Sequence, residues 1–246
     1  MTRKILTCLI AASLFFCLSC SDDDDNGTDP QRLTGSGDLA TVERTLPGFH
    51  SVSLITVGTV TVARGSQQSV EITLDDNLLE YLETEVADGE LRIKFDAAVN
   101  PQDFELRVEL TMTDLEALSL VGVGTVSTTN LIQVDSVYVS LTGVGTVNLE
   151  VDTDKLVSVL TGVGTVALSG EAENMKVTHS GVGNLAAFGL QAEDATITQT
   201  GVGDSQVYVN GHLDVTITGA GSVFYKGSPE FGTITVTGVG QLINAN

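Results

Sequence analysis

Four sets of residues in this chain carry groups that can do chemistry: paired glycines, paired acids, three histidines and three cysteines, the last confined to the first 20 residues. The glycines come first, because "TGVGTV", at Thr142 to Val147 and again at Thr161 to Val166, is how a phosphate-cradling loop begins after an apolar strand. Such a loop serves one ligand and opens a helix. Here the pair recurs as Gly122 and Gly124, Gly143 and Gly145, Gly162 and Gly164, Gly181 and Gly183, Gly201 and Gly203, Gly219 and Gly221, and Gly238 and Gly240, in steps of 21, 19, 19, 20, 18 and 19 residues. The segments that follow, such as "TVSTTN" and "TVNLEV", are β-prone, which excludes nucleotide chemistry and indicates a stacked repeat.

The other groups do not assemble into a site. Asp152 and Asp154, Glu171 and Glu173, and Glu193 and Asp194 would suit calcium, but the calcium-binding nonapeptide repeat is shorter and has an aspartate after its glycines. That place holds Thr, Asn, Ser or Gln in six of the seven repeats, so the acids read as solvated turns. His50, His179 and His212 lie far apart, with no cysteine or second histidine at metal-ligand spacing, and no metal or cofactor is expected. His179 and Gln199 replace apolar residues at equivalent places one repeat apart, which reads as a hydrogen-bonded rung in the core. No Arg or Lys recurs within the repeats, so a polysaccharide-acting enzyme is the weaker functional alternative.

Apolar periodicity shows which elements hold the glycines. Counting from the first glycine of each pair, apolar residues fall six, four and two places before it, as at Val137, Val139 and Leu141, and four and six places after it, as at Val147 and Leu149. That is period-two burial, and each coil is predicted as strand, glycine corner, strand and polar return. The valine between the glycines is expected to point inward and stack on its equivalents. The fold class that follows is all-β: a parallel β-helix (β-solenoid) of about 19 to 20 residues per coil, with glycine wherever stacked corners need positive φ or close backbone approach. The regular coils should run over residues 114–246. Residues 38–113 should form a less regular cap and the first coils, including a degenerate corner at Thr56-Val57-Gly58 and a hairpin from Leu82–Val86 to Leu91–Phe95.

The N-terminus bears on location. Arg3 and Lys4 precede an apolar run from Ile5 to Leu18 that is too short to span a bilayer, and its end, "LSC", resembles a bacterial lipobox. Residues 1–19 therefore read as a lipoprotein signal peptide and Cys20 as the lipidated residue that anchors the protein to a membrane. Residues 20–37, beginning "CSDDDD", read as an acidic disordered tether of the kind that accompanies display outside an outer membrane. Removing residues 1–19 takes two basic groups from 11 and none from the 32 acids, leaving a net charge of −23 and no affinity for nucleic acid.

One regular surface is not required for packing. Ser140 and Thr142, Thr178 and Ser180, Thr198 and Thr200, Thr216 and Thr218, and Thr235 and Thr237 stand three and one places before the first glycine, and stacking turns them into two hydroxyl ranks. This face suits an extracellular polymer, a protein ligand or ice. Phe188, Tyr208, Phe224 and Tyr225 are the aromatic residues nearest to a cluster.

The "GFHSVSL" opening, the "DDNLLEYLETEVADGELRIKF" segment and the coils "SLVGVGTV", "SLTGVGTV" and "VLTGVGTV" resemble the auto-transporter adhesin head GIN domain family over about residues 40–244. The resemblance implies a right-handed parallel β-helix carried by surface or secreted lipoproteins of Bacteroidota, and an adhesin-like role.

Overall fold

A computed structural model describes residues 29–246. The predicted signal peptide, Cys20 and the four aspartates after it lie outside the described residues. From Gln31 the chain is already built into the fold: Gln31–Thr34 is a strand paired in parallel with Val99–Gln102. The tether expected to run to Gly37 therefore gives way to paired strand at Gln31.

The body is a β-solenoid. Strands Ile132–Leu141, Val144–Leu160, Val163–His179 and Val182–Gln199 pair in parallel, each residue on its equivalent one coil away. Inward positions form continuous apolar stacks; Leu141 and Leu160, or Val147, Val166 and Leu185, lie directly above one another and are buried. The 20-residue step between Gly181 and Gly201 is a β-bulge: Ala167 pairs with Ala186 but Ser169 with Gly189, which leaves one extra residue beside Phe188.

The predicted polar returns are themselves strand. Val151 pairs with Gly170 and Gly170 with Leu190, and the ladder skips only one residue per coil, at Asp135, Asp154, Glu173 and Glu193, where the chain bends. The reason is an alternation that the acids obscure: Val151 and Thr153 point inward while Asp152 and Asp154 are exposed. The coils spanning Ile132–Gln199 thus have a third strand run that is acidic outside and small or apolar inside, whereas the run Ser205–Val209 of the next coil carries no acid.

The corner explains why two glycines recur. A Cβ on Gly162 would strike the carbonyl oxygen of Gly143, and one on Gly164 that of Gly145, in the preceding coil. Gly164 also has φ of 144°, a conformation that favours glycine. In the first coil Thr56 takes the place of the first glycine. The cap strands beside that coil reach it through Ile55 N to Ile93 O and Thr59 N to Leu106 O, and among the described residues no corner of another coil lies beneath Thr56.

Order in space departs from order in sequence at the N-terminal end. Ser51–Leu54 and Val57–Arg64 form the first coil, with Gly58 in register with Gly124. The chain then continues to the outer side of that coil, where Glu90–Phe95 pairs with Ser51–Leu54 and Arg107–Met112 with Val57–Arg64. It finally crosses back to Ala117–Leu120, on the opposite side of the first coil. Antiparallel strands close this end: Leu82–Ala87 on Glu90–Phe95, and Leu39–Glu43 on Ser69–Asp75, which itself lies on Arg107–Met112. The Asp75 carboxylate ties the cap together by accepting Gly37 N (2.7 Å) and Glu105 N (3.0 Å), and these backbone bonds lower its pKa.

Candidate functional site

The period-two rule runs through the glycine corner without interruption. Even positions on either side of the two glycines face the interior, odd positions face out, and the glycines abut the backbone of the neighbouring coil. The valine between the glycines is therefore external, against the expectation that it points inward: Val163 is 50 % exposed and its equivalents Val123, Val144, Val182 and Val202 are similarly open. Direct register carries this ladder from Val57 through Val123, Val144 and Val163 to Val182, and isolated bridges extend it to Val202 and Ala220. Continuing the alternation from the buried residue four places after the first glycine would have located it.

Beside the valines stands the exposed rank Thr142, Thr161, Ser180, Thr200, Thr218 and Thr237. The rank three places before the glycine is less accessible. Ser140 is buried and donates to Ser119 Oγ (2.9 Å), which removes it from the candidate face, whereas Thr178, Thr198 and Thr216 are half-buried and Thr235 is exposed. Hydroxyl and isopropyl groups thus alternate across the corner and repeat about every 4.8 Å along the axis.

Charge sets this surface apart. From three places before the first glycine to five after it, the outward residues of every coil include a single charged group, Asp204. The acids lie instead on the third strand run, where Asp152, Asp154, Glu171, Glu173 and Glu193 line a shallow groove of about 390 Å³. Among the described residues, no three His, Cys, Asp or Glu come close enough to hold a metal ion. Some acids cap backbone: Asp194 accepts His212 N (2.7 Å) and Asp214 accepts Thr233 N (2.6 Å).

The histidines remain separate. His50 pairs with Glu116 at the surface (2.9 Å), and His212 lies on another coil. His179 and Gln199 are fully buried, stacked, and joined through Ser205. Gln199 Nε2 donates to Gly203 O (2.8 Å), and Ser205 Oγ donates its one proton to Gln199 Oε1 (2.6 Å). Ser205 Oγ must then accept from His179 Nδ1–H (3.2 Å), leaving Nε2 as an unprotonated atom without a partner. Burial lowers the His179 pKa, opposed by its polar neighbours Gln199 and Asp204. The rung is a core feature with no opening to substrate. The aromatic residues divide as well: Lys226 Nζ sits 4.7 Å from the Phe188 ring centre, and Tyr225 meets Phe231 edge to face at 5.3 Å.

Fold and surface together define a parallel β-solenoid that presents a regular, almost uncharged face. Residues 48–229 match the family described as "Putative auto-transporter adhesin, head GIN domain", and the chain belongs to that family. Among solved structures, a "putative adhesin" from Bacteroides fragilis NCTC 9343 is similar at 26 % identity and TM-score 0.78, over 86 % of this chain and 99 % of that one. A "putative adhesin" from Parabacteroides merdae ATCC 43184 (24 %, TM-score 0.67, 88 % and 100 % covered) shares the fold. So does a "putative lipid binding protein" from Parabacteroides distasonis ATCC 8503 (21 %, TM-score 0.67, 88 % and 100 % covered). No curated protein matches this sequence.

Proposed function

We propose that this protein is a non-catalytic binding module of the cell surface, lipid-anchored to the outer membrane through Cys20, that adheres to an extracellular polymer or protein through the Thr and Val ladders of its glycine corner. The observation that carries this reading is the near-absence of charge over that surface in a chain of net charge −21. Uniform negative charge is enough for solubility, so packing does not require the acids to be withheld from two of the three strand runs. A neutral, flat surface with a short repeat suits a ligand that is itself regular, because each rung adds the same small contact. The family and its Bacteroidota relatives support adhesion in the same direction.

The test uses Val163→Lys with Val182→Lys, and separately bulky replacements of Thr198, Thr200, Thr216 and Thr218. Binding to glycan arrays and to cells should fall by roughly tenfold or more, as for the centre of an interface. Thermal midpoints should move little, because these side chains lie outside the core. Binding that survives both sets would eliminate the corner as the interface, and turnover in a parallel polysaccharide-cleavage screen would replace the module by the enzyme reading. Ice-growth inhibition in the parent, lost in the Thr variants, would identify ice as the regular ligand.

A further inference from the structure

The two ends of the solenoid are finished differently. At the capped end, the core residues of the first coil lie under further strands: Leu54 is 0 % exposed beneath Ile93, and Val60 and Val62 lie beneath Val108 and Leu110. At the other end the equivalent inward positions of the last coil, Ile234 and Val236, are 39 % and 44 % exposed. Glu230–Val236 pairs only with His212–Ile217, and Leu242–Asn244 only with Val223–Lys226. Among the described residues, nothing pairs with the outer edges of these strands.

Open strand edges are normally blunted by charge or irregularity, since their unpaired N–H and C=O groups recruit other strands. The capped end follows that rule. Its outermost hairpin strand, Leu82–Ala87, carries Glu83 and Glu85, both reached by Lys94 (3.1 and 3.8 Å). The last coil does not: Glu230 is the single charged residue in 227–246, and between Phe231 and Asn246 every side chain is uncharged. Nor is this edge loose. Asn246 Nδ2 donates to Gly227 O and Gly227 N to Asn246 Oδ1, both at 2.9 Å, which pins the coil in place.

We propose that the last coil, residues 227–246, is a docking surface for a second copy of this chain, the two copies meeting tail to tail with Glu230–Val236 antiparallel to its counterpart. Charge selects the occupant. A chain of net charge −21 can bring its own copy end-on only where its acids are missing, whereas a basic partner would favour the acidic third run. Coil spacing agrees, since the partner's last coil continues the stack and covers Ile234 and Val236 with the same two residues. The charged cap at the far end prevents the pairing from repeating, so the product is a closed two-fold dimer and not a filament.

Cysteines placed singly at Gly232, Thr233, Thr235 and Val236 of the full chain, oxidised in the producing cells, should trap a species of twice the monomer mass at one or more positions. A Glu83→Cys control at the capped end should not. Ile234→Lys with Val236→Lys should reduce the trapped dimer at least tenfold without changing the thermal midpoint appreciably, because both side chains are already partly exposed. Monomer at every position overturns the proposal. So does a trapped product of any other mass, equal trapping by the Glu83→Cys control, or trapping that persists in the lysine pair.

Discussion

Gly164 and Ser158 show how little freedom a stacked position has. Gly164 combines a φ of 144° with a carbonyl oxygen of the coil below where its Cβ would lie, so neither rotation nor side-chain repacking relieves a substitution. Gly164→Ala should cost about 2 kcal/mol or more, and Gly162→Ala somewhat less because only the steric part applies. Differential scanning calorimetry of both variants would read this as lowered midpoints, and unchanged midpoints would remove the corner's structural role. Ser158 poses the opposite case. Its hydroxyl is buried without a partner, between Val139 and Val177 in the coils on either side. Ser158→Val completes that stack and removes an unsatisfied polar group, so it should stabilise by about 1 kcal/mol, seen as a raised denaturation midpoint.

At the scale of the element, the polar rung connects stability to pH. His179 is held neutral by burial, so its folded pKa lies below that of the unfolded chain. The unfolded state then binds more protons across the interval between the two values. Stability is complete above the ordinary histidine range, about pH 6.5, and is lost as the pH falls through it toward the folded pKa. The parent's thermal midpoint should drop between pH 7 and 5. His179→Leu, matching Leu160 one coil below, should flatten that dependence. An equal slope in parent and variant would show that the rung is not the source. Strand length follows the same logic: Val144–Leu160 runs unbroken through an acidic segment because alternate residues there still reach the core.

For the whole molecule, the distribution of charge separates a neutral side from an acidic one, and on the proposed reading the N-terminal segment anchored at Cys20 presents the neutral side. Cys20→Ala should release the protein from membranes. Replacing Asp22 to Asp25 with neutral residues should leave it folded and anchored but remove it from the cell exterior. Protease accessibility on intact cells measures both, and full accessibility of the neutralised protein would refute the export role of the aspartates.

The solenoid, its coil length, its inward stacks, the hairpin and the degenerate first corner were all readable from the sequence, because a stacked repeat imposes the same local requirement in every coil. Local pattern reaches no further than one strand. The return is strand and not a polar turn because small buried residues alternate with the more numerous exposed acids, and the corner valine faces out, despite its apolar character, because parity requires exposure. Three features depend on contacts between distant residues and appear only in the tertiary structure. Residues 65–113 lie outside the first coil because their strands pair with its free edge, although in sequence they stand between the first and second coils. Ser140 leaves the hydroxyl face because Ser119, one coil below, takes its proton. Ile234 and Val236 carry the core pattern of every other coil, yet remain open because nothing described stacks on them.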